Sequence, residues 1–254
     1  MKAILPAAGF GTRMYPLTLD KPKALLEING KPVIEYILSK ISELKEIDEI
    51  FIISNNKFYE KFKEWKDSFS CSLEIKIVNN GIDRNEERHG AIGDIYSVLK
   101  KEGIYEDFLL VHGDNLFSFD LGGLVKSFMA TGLSTIALYD VGNLESAKKF
   151  GNVLLDGRGR IKFFKEKSSS PRGSLCSVGI YVFPSWIVGF FREYSRQGNS
   201  LDNTGSFLEW LYKNEDIYGY VFDKEKCFWF DIGSRESYEE ANAFLGGTDA
   251  SFKK

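Results

Sequence analysis

Small residues and positive charge are concentrated near the start of the chain. The segment AAGFGTR places Ala8, Gly9 and Gly11 directly after a short apolar run at 2–5. Small residues let a backbone approach a ligand closely, and the free amides of such a loop can hold phosphate oxygens. The spacing matches neither the GxGxxG motif nor a Walker loop. The segment is therefore a phosphate loop of another kind, or a tight turn that binds nothing.

Three cations, Arg13, Lys21 and Lys23, follow the glycines within eleven residues. Arginine can grip a phosphate with two donors, whereas lysine acts as a point charge. Lys23 stands between Pro22 and the apolar run ALLEI, which predicts a fixed side chain. A triphosphate carries about four negative charges near neutral pH and needs such a cationic rim. Solvated surface lysines are the alternative.

Two aspartates each end an apolar run beside a glycine. Asp114 follows FLLVHG, and Asp231 follows CFWF and precedes Ile-Gly. Open α/β sheets bind ligands at the carboxyl ends of their strands, where these side chains would lie. With a phosphate loop nearby, the pair predicts Mg²⁺ held by two carboxylates and phosphate oxygens. Each aspartate alone could equally cap a helix.

Alternating strands and helices must position these residues in the first half of the chain. Apolar periodicity predicts strands at 2–5, 49–54, 73–78 and 108–112, and helices at 33–44, 57–69 and 91–101. This order predicts an α/β fold with a Rossmann-like, mostly parallel central sheet and helices on both faces. The second half predicts a smaller mixed part, with strands at 134–139, 152–155, 161–165, 176–183, 217–222 and 227–230 and helices at 184–196, 206–213 and 234–245.

Composition limits the classes of partner. The 254 residues carry a net charge of −3 and are 43% hydrophobic, which suits one large domain or two packed halves. The chain shows no broad basic patch of the kind that binds nucleic acid. No segment reads as a signal peptide or a membrane span. Three cysteines without CxxC spacing predict reduced thiols and a cytoplasmic protein.

Four motifs occur in a fixed order. They are AAGFGTR with PK at 22–23, GDN at 113–115, EK at 166–167 and WFDIGSRESYEEA at 229–241. Together they resemble the sugar-phosphate nucleotidylyltransferases, the family that includes glucose-1-phosphate thymidylyltransferase. The resemblance implies one nucleotidyltransferase domain over 1–246, with a nucleotide-binding half at about 1–113 and a sugar-phosphate-binding half at about 114–246. Residues 247–254 are expected to form a flexible tail.

The resemblance also implies the reaction, in which a nucleoside triphosphate and a sugar 1-phosphate give a nucleotide sugar and pyrophosphate. It assigns catalysis to Arg13, at the β- and γ-phosphates, and to Lys23, at the α-phosphate and the leaving pyrophosphate. Asp114 and Asp231 would hold Mg²⁺. The nucleotide would contact Ala8, Gly9, Gly11, Thr12 and Gly90. The sugar phosphate would contact Asn115, Gly151, Glu166 and Lys167.

Some positions depart from the family pattern. The segment 81–93 carries six charged or titratable side chains, five of them within residues 84–89, instead of the pattern Pro-x-Gly-x-Ala-x-Ala. We predict that it forms the wall of the base and acceptor pocket, with a solvated loop as the alternative. Asn152 replaces an aliphatic residue and predicts a more polar sugar pocket. Ser168 replaces a proline and predicts a looser loop.

Three side chains near these motifs are given structural explanations. His112 is predicted to lie in the core, within a strand. Asp94 is predicted to stand in the first turn of a helix, where the helix dipole explains it. The aromatic cluster around Trp229 is predicted to serve packing.

Other functions stay open at this point. A cytidylyltransferase acting on a phosphomonoester that is not a sugar would use the same phosphate loop. A non-catalytic protein that only binds nucleotide sugars should have lost Lys23, Asp114 or Asp231, yet all three are present. A dinucleotide-dependent dehydrogenase is disfavoured because the third glycine of its motif is missing. The base, the sugar and any homo-oligomer are not specified by the sequence.

Overall fold

A computed structural model describes residues 1–247 of the chain. Its strands are β1 Lys2–Pro6, β2 Glu27–Ile28, β3 Lys31–Pro32, β4 Glu49–Ser54, β5 Glu74–Asn79, β6 Phe108–Val111, β7 Asn115–Phe117, β8 Ser134–Asp140, β9 Gly151–Leu155, β10 Ile161–Glu166, β11 Leu175–Phe183, β12 Ile217–Val221 and β13 Trp229–Asp231. Its α-helices are α1 Val33–Ile41, α2 Asn56–Ser68, α3 Gly90–Lys101, α4 Gly122–Thr131, α5 Leu144–Ala147, α6 Ile187–Arg196, α7 Thr204–Leu211 and α8 Arg235–Gly247. Short 3₁₀ helices occupy Thr12–Met14, Lys23–Leu25 and Asn85–Glu87.

A nine-stranded sheet runs through both halves of the chain. Strands β5, β4, β1 and β6 lie side by side and parallel, so their carboxyl ends meet at one edge. Strand β11 then joins β6 in the antiparallel direction and connects the sheet to β8 and β9. The predicted α/β class with a parallel central sheet is confirmed, and the mixed part begins at β11.

Helices cover both faces of this sheet because its buried strands alternate apolar side chains between the two sides. One apolar cluster joins Ala3 and Leu5 of β1 to α1, α2 and α4. The other joins Ile4 of β1 to α3, α6 and α7. A third, smaller cluster around Met14, Leu116 and Ile232 lies where β7, α8 and the loop after β1 meet.

Most predicted elements lie within one or two residues of the observed ones. Helix α4 was missed, because its first turn begins with two glycines, which are poor helix formers. The helix predicted at 184–196 begins instead at Ile187, after Pro184 and a turn. Within residues 1–247 no helix is long and apolar enough to cross a membrane.

The predicted flexible tail at 247–254 lies almost wholly outside the described residues. Its first residue, Gly247, ends α8. The predicted division into a nucleotide-binding half and a sugar-phosphate-binding half stays a prediction.

Candidate active site

The loops after β1 and β6 lie against each other at the carboxyl edge of the sheet. The amide of Gly113 donates to the carbonyl of Pro6 at 3.0 Å, and a Cβ on Gly113 would lie 3.1 Å from that of Ala7. Only a glycine lets the two loops come this close without displacement. Gly113 therefore brings Asp114 next to the AAGFGTR segment.

The second aspartate reaches the same place through a separate two-stranded sheet. Strands β7 and β13 pair antiparallel, with Asn115 opposite Asp231. The amide of Ile232 also donates to the carbonyl of Asp114 at 2.8 Å. This pairing unites two carboxylates that lie far apart in the sequence, as the strand-end pattern predicted.

The AAGFGTR segment leaves five consecutive amides without a partner in the described chain. They belong to residues 8–12, and no carbonyl or side chain of residues 1–247 accepts from them. Gly11 adopts φ 66°, and its carbonyl accepts from the Thr18 hydroxyl at 2.7 Å, which fixes the turn. Gly9 and Thr12 are exposed, and Ala8 is anchored through its carbonyl by Asn55 at 2.8 Å. Such a row of free amides can donate hydrogen bonds to phosphate oxygens.

The two predicted catalytic cations differ in their environment. Arg13 is exposed and makes no salt bridge with a described residue. Lys23 begins a 3₁₀ helix directly after Pro22, and its side chain is only 16% exposed. Its Nζ lies 2.8 Å from Oδ2 of Asp114. The structure therefore confirms that Lys23 has a fixed position, and it adds an ion-pair partner that the sequence did not indicate.

The two aspartates differ in their readiness to ionise. Burial raises the pKa of Asp231 to about 6, and the negative charge of Asp114 contributes to the same shift. Burial would also raise the pKa of Asp114, but the positive charge of Lys23, whose Nζ lies 2.8 Å away, holds it below its ordinary value. Two carboxylates thus repel each other in one buried place, which is an arrangement that a cation would stabilise.

These carboxylates suit a hard divalent cation. Within residues 1–247, His, Cys, Asp and Glu side chains do not form any metal-binding group of three or more. The chain therefore offers the two oxygen ligands Asp114 and Asp231. Mg²⁺ commonly takes one or two carboxylates and completes its shell with water and substrate phosphates. The donor set fits that ion, and Asp114 and Asp231 would hold it.

A polar cleft of about 180 Å³ opens beside the aspartates. It brings together Asp114 and Asp231 with all four residues predicted to bind the sugar phosphate. The cleft is also lined by residues that sequence reasoning did not select: His112, Lys149, Phe150, Ser177, Val178, Gly179, Tyr181, Asn203, Thr204, Gly205 and Trp229. The phosphate-loop residues lie outside this lining, so the site has two adjoining parts.

Glu166 extends into the cleft between two glycines. It pairs with Gly151 across β10 and β9, and a Cβ on Gly151 would lie 3.1 Å from Oε2. A side chain on Gly205, in the first turn of α7, would collide with the same carboxylate. No described residue donates to the carboxylate, and burial raises its pKa. The group is therefore available to a ligand hydroxyl.

Lys167 follows Glu166 with a backbone φ of 45°, which non-glycine residues rarely adopt. Its amide donates to the carbonyl of Phe150 at 3.1 Å, which holds this conformation. Strained positions of this kind are frequent at functional sites. The conformation directs the chain away from β10 immediately after the two predicted sugar-phosphate residues.

The side chain of Asn115 is buried and hydrogen-bonded within the protein. The residue is only 3% exposed, and its amide donates to the carbonyl of His112 at 3.1 Å. Trp229 donates from its indole to Oδ1 of Asn115 at 2.6 Å. The sequence predicted only a packing role for Trp229. The structure shows that Trp229 also lines the cleft and orients Asn115. Direct binding of the sugar by Asn115 stays a prediction.

Packing of the backbone explains why residue 90 is a glycine. It adopts φ 77°, and a side chain there would collide with the backbone carbonyl of Leu201. The amides of Ala91 and Ile92 donate to the carbonyls of Asp202 and Leu201 at 3.2 and 3.0 Å. The start of α3 therefore packs on the loop that precedes α7. A role of Gly90 at the base stays a prediction.

Two of the structural explanations drawn from the sequence are wrong. His112 lies one residue beyond β6 and lines the cleft, with Nε2 2.8 Å from the Thr204 hydroxyl. Burial lowers its pKa, so the ring is neutral at pH 7. Asp94 lies beyond the first turn of α3, is 7% exposed and accepts from Asn80 at 3.0 Å. A hydrogen bond from a side chain, rather than the helix dipole, stabilises it.

The prediction for Asn152 is also wrong. Asn152 is fully buried and does not line the cleft. Its amide donates to the carbonyls of Gly173 and Leu175 at 2.8 and 3.2 Å, and its Oδ1 accepts from the amide of Arg172 at 2.8 Å. These bonds hold the loop after Lys167, where the family pattern has a proline. A side chain that appeared to alter the sugar pocket therefore fastens the neighbouring loop.

The chain is similar to known proteins over its whole described length. It is 30% identical over 249 residues to the bifunctional protein GlmU of Methanocaldococcus jannaschii, covering 96% of this chain and 54% of that protein. It is 30% identical over 266 residues to the low-salt glycan biosynthesis nucleotidyltransferase Agl11 of Haloferax volcanii, covering 100% and 68%. A UDP-glucose pyrophosphorylase solved with UDP-glucose has the same fold, with a TM-score of 0.79, 23% identity and coverage of 97% and 99%.

The chain is an α/β protein in which strand-end loops bring free backbone amides close to two carboxylates. The model of the nucleotidyl transferase family matches residues 2–247, and the chain belongs to that family. This membership confirms the resemblance found in the motifs. Members of the family generally use a divalent metal ion. The chain spans about half the length of the two GlmU proteins among its curated relatives.

Proposed function

We propose that this protein transfers a nucleotidyl group from a nucleoside triphosphate to a sugar 1-phosphate, releasing pyrophosphate, with Mg²⁺ as cofactor. The observation that supports this most is the junction of two adjoining parts at Asp114 and Asp231. One part has free amides and cations suited to a triphosphate. The other is a small polar cleft whose unpaired carboxylate and lysine suit a sugar phosphate.

The residues of the chain have separate tasks in this proposal. The amides of residues 9–12 donate hydrogen bonds to the triphosphate. Arg13 binds the β- and γ-phosphates, which leave as pyrophosphate. Lys23 stabilises negative charge that develops between the α-phosphate and the leaving group. Lys167 binds the phosphate of the sugar, and Glu166 accepts a sugar hydroxyl. The phosphate of the sugar attacks the α-phosphorus in line, and no covalent intermediate with the protein is needed.

Asp114 and Asp231 would hold Mg²⁺, which would supply positive charge to phosphate oxygens. The chain itself fixes these two carboxylates through the pairing of β7 with β13. Lys23 contacts the same carboxylate that would bind the ion. The ammonium and the ion would therefore both lie near the reacting phosphates. Catalysis in this arrangement comes from positioning and charge stabilisation rather than from an acid or a base.

The main alternative function differs in the acceptor of the nucleotidyl group. A cytidylyltransferase for a phosphomonoester without a sugar would need the same phosphate loop. The cleft favours the sugar, because Glu166 is unpaired there and is accompanied by the polar side chains of Ser177, Asn203 and Thr204. A small alkyl phosphate offers few hydroxyl groups for these partners.

The test is a matrix of nucleoside triphosphates and phosphorylated acceptors with pyrophosphate release as the readout. Four or five triphosphates would be combined with several sugar 1-phosphates and with phosphocholine, in the presence of Mg²⁺. We expect turnover with at least one sugar 1-phosphate and a loss of turnover when a chelator is added. Turnover with phosphocholine alone would support the alternative. Binding of a nucleotide sugar without any turnover would indicate the non-catalytic protein.

A further inference from the structure

Lys149 is a cation of the cleft that has no role in the site as described so far. It lines the cavity together with Phe150 and Gly151, and its side chain is exposed. The neighbouring Lys148 pairs with Glu145, whereas no carboxylate within residues 1–247 forms a salt bridge with Lys149. An unpaired ammonium group at the rim of an anion-binding cleft is available to an incoming ligand.

The backbone of Lys149 is fixed by the turn that follows α5. Its amide donates to the carbonyl of Ser146 at 3.2 Å, and the amide of Phe150 donates to that of Ala147 at 3.3 Å. The carbonyl of Phe150 in turn accepts from the amide of Lys167 at 3.1 Å. The segment that carries Lys149 is thus fastened to the segment that carries Lys167.

The charges that line the cleft leave a phosphate poorly compensated by Lys167 alone. Asp114, Glu166 and Asp231 contribute three carboxylates, against the two lysines Lys149 and Lys167. A phosphate monoester adds about −1.5 to −2 charges near pH 7. Lys23 is already paired with Asp114. Mg²⁺ held by Asp114 and Asp231 would offset those two carboxylates, but the charge of Glu166 still cancels that of Lys167, so the dianion would meet no net positive charge at its own end of the cleft without a second lysine.

We propose that Lys149 binds the phosphate of the sugar 1-phosphate together with Lys167. The inference rests on the proposed function and adds a second cation to its acceptor subsite. Lysine suits this task because its long side chain can reach a phosphate from the rim while its backbone stays in a fixed turn. Lys149 therefore contributes to acceptor affinity and not to the chemistry at the α-phosphorus.

The experiment compares Lys149→Ala with Lys148→Ala, a neighbouring exposed lysine that does not line the cleft. Steady-state rates would be measured against the sugar 1-phosphate and against the triphosphate that the wild-type protein uses best. We expect Lys149→Ala to raise KM for the sugar 1-phosphate by about tenfold, as for loss of a charged hydrogen bond. KM for the triphosphate should stay within about twofold, and Lys149→Arg should restore most of the acceptor affinity.

The experiment distinguishes failure of the proposed function from failure of the role proposed for Lys149. A wild-type protein that releases no pyrophosphate from any pair would overturn the proposed function itself. An active wild-type protein in which Lys149→Ala and Lys148→Ala give the same acceptor KM would overturn only the role of Lys149. An equal rise in KM for both substrates would also overturn it, since that pattern would indicate a general disturbance of the site.

Discussion

The ammonium of Lys23 lies 2.8 Å from a carboxylate oxygen of Asp114, although the two residues come from loops after different strands. Lys23 follows Pro22 in the loop after β1, and Asp114 follows β6. The ion pair holds both side chains at the junction between the phosphate loop and the cleft. A cation bound by Asp114, as proposed, would weaken the attraction of this carboxylate for Lys23 and would leave the ammonium available to phosphate.

We expect Asp114→Asn and Asp231→Asn each to reduce turnover at least about 100-fold. Each change removes a charged oxygen from a hard cation, whose stabilisation of the transition state is worth several kcal/mol. Pyrophosphate release at increasing Mg²⁺ checks the prediction, and thermal melting controls for misfolding. Rates close to wild type in both variants at saturating Mg²⁺ would contradict the two-carboxylate site.

The two lysines of the reaction should show opposite kinetic patterns. Lys23→Ala should lower kcat more than it changes KM for the sugar 1-phosphate, because its charge acts on the departing pyrophosphate. Lys167→Ala should mainly raise KM for the sugar 1-phosphate. Steady-state kinetics with each substrate varied in turn provides the measurement. Identical patterns in both variants would show that the division of roles is wrong.

The segment before α3 should decide which nucleotide is used. Replacing residues 84–88 by a neutral Gly/Ser stretch of equal length should change the preference among triphosphates or acceptors. One unpaired group costs about 1–3 kcal/mol, enough for a tenfold shift. Arg88 lies 3.4 Å from Asp202, in the loop that leads to the cleft, so acceptor preference can respond too. Unchanged preferences, or a change only in melting temperature, would leave the solvated loop as the explanation.

The fold was predictable because its strands are short, apolar and separated by amphipathic helices. Strand β4, for example, has the predicted bounds. The positions of Gly9, Gly11, Lys23 and the two strand-end aspartates at the carboxyl edge of the sheet were predictable because their local patterns are rare, while their roles stay predictions. Lys149 and Thr204 were missed because a lysine in a turn and a threonine in a helix start are ordinary choices locally. Their importance comes from a cleft that only the tertiary structure forms.

The role of Asn152 was also not predictable, because its hydrogen-bond partners come from a loop about twenty residues away in sequence. Its role in holding that loop can be tested. We expect Asn152→Leu to lower the free energy of unfolding by about 1–3 kcal/mol, since partners of its amide lose their hydrogen bonds. Native trypsin cleavage after Arg172 should become faster as the loop loosens. The exposed Asn214 at the end of α7 offers the control variant Asn214→Leu. Equal stability and equal cleavage in the two variants would argue against this role.

Asp94 should make the fold more stable at acid pH than at neutral pH. Burial raises its pKa, although the hydrogen bond from Asn80 and the nearby His89 oppose the shift. The folded protein therefore binds this proton more tightly than the unfolded chain, and the stabilisation is lost as pH rises through the folded pKa.

Asp94→Asn keeps an acceptor for Asn80 but carries no charge. Its free energy of unfolding, relative to wild type, should rise as the pH increases upward from about 4, the ordinary carboxyl pKa. Denaturant unfolding at several pH values gives the difference. Asp67→Asn, on the exposed surface of α2, should show no such trend. A constant difference for Asp94→Asn would contradict the prediction.

The pairing of β7 with β13 also has a consequence in time. The indole of Trp229 and the amide that it contacts are 114 residues apart in sequence, so their contact joins distant parts of the chain. During synthesis, the strands up to β6 emerge from the ribosome long before β13 does. The parallel strands can therefore pair before Asp231 reaches Asp114. When the complete chain refolds, activity should return later than secondary structure, because contacts between residues far apart in sequence cost more loop-closure entropy than local ones.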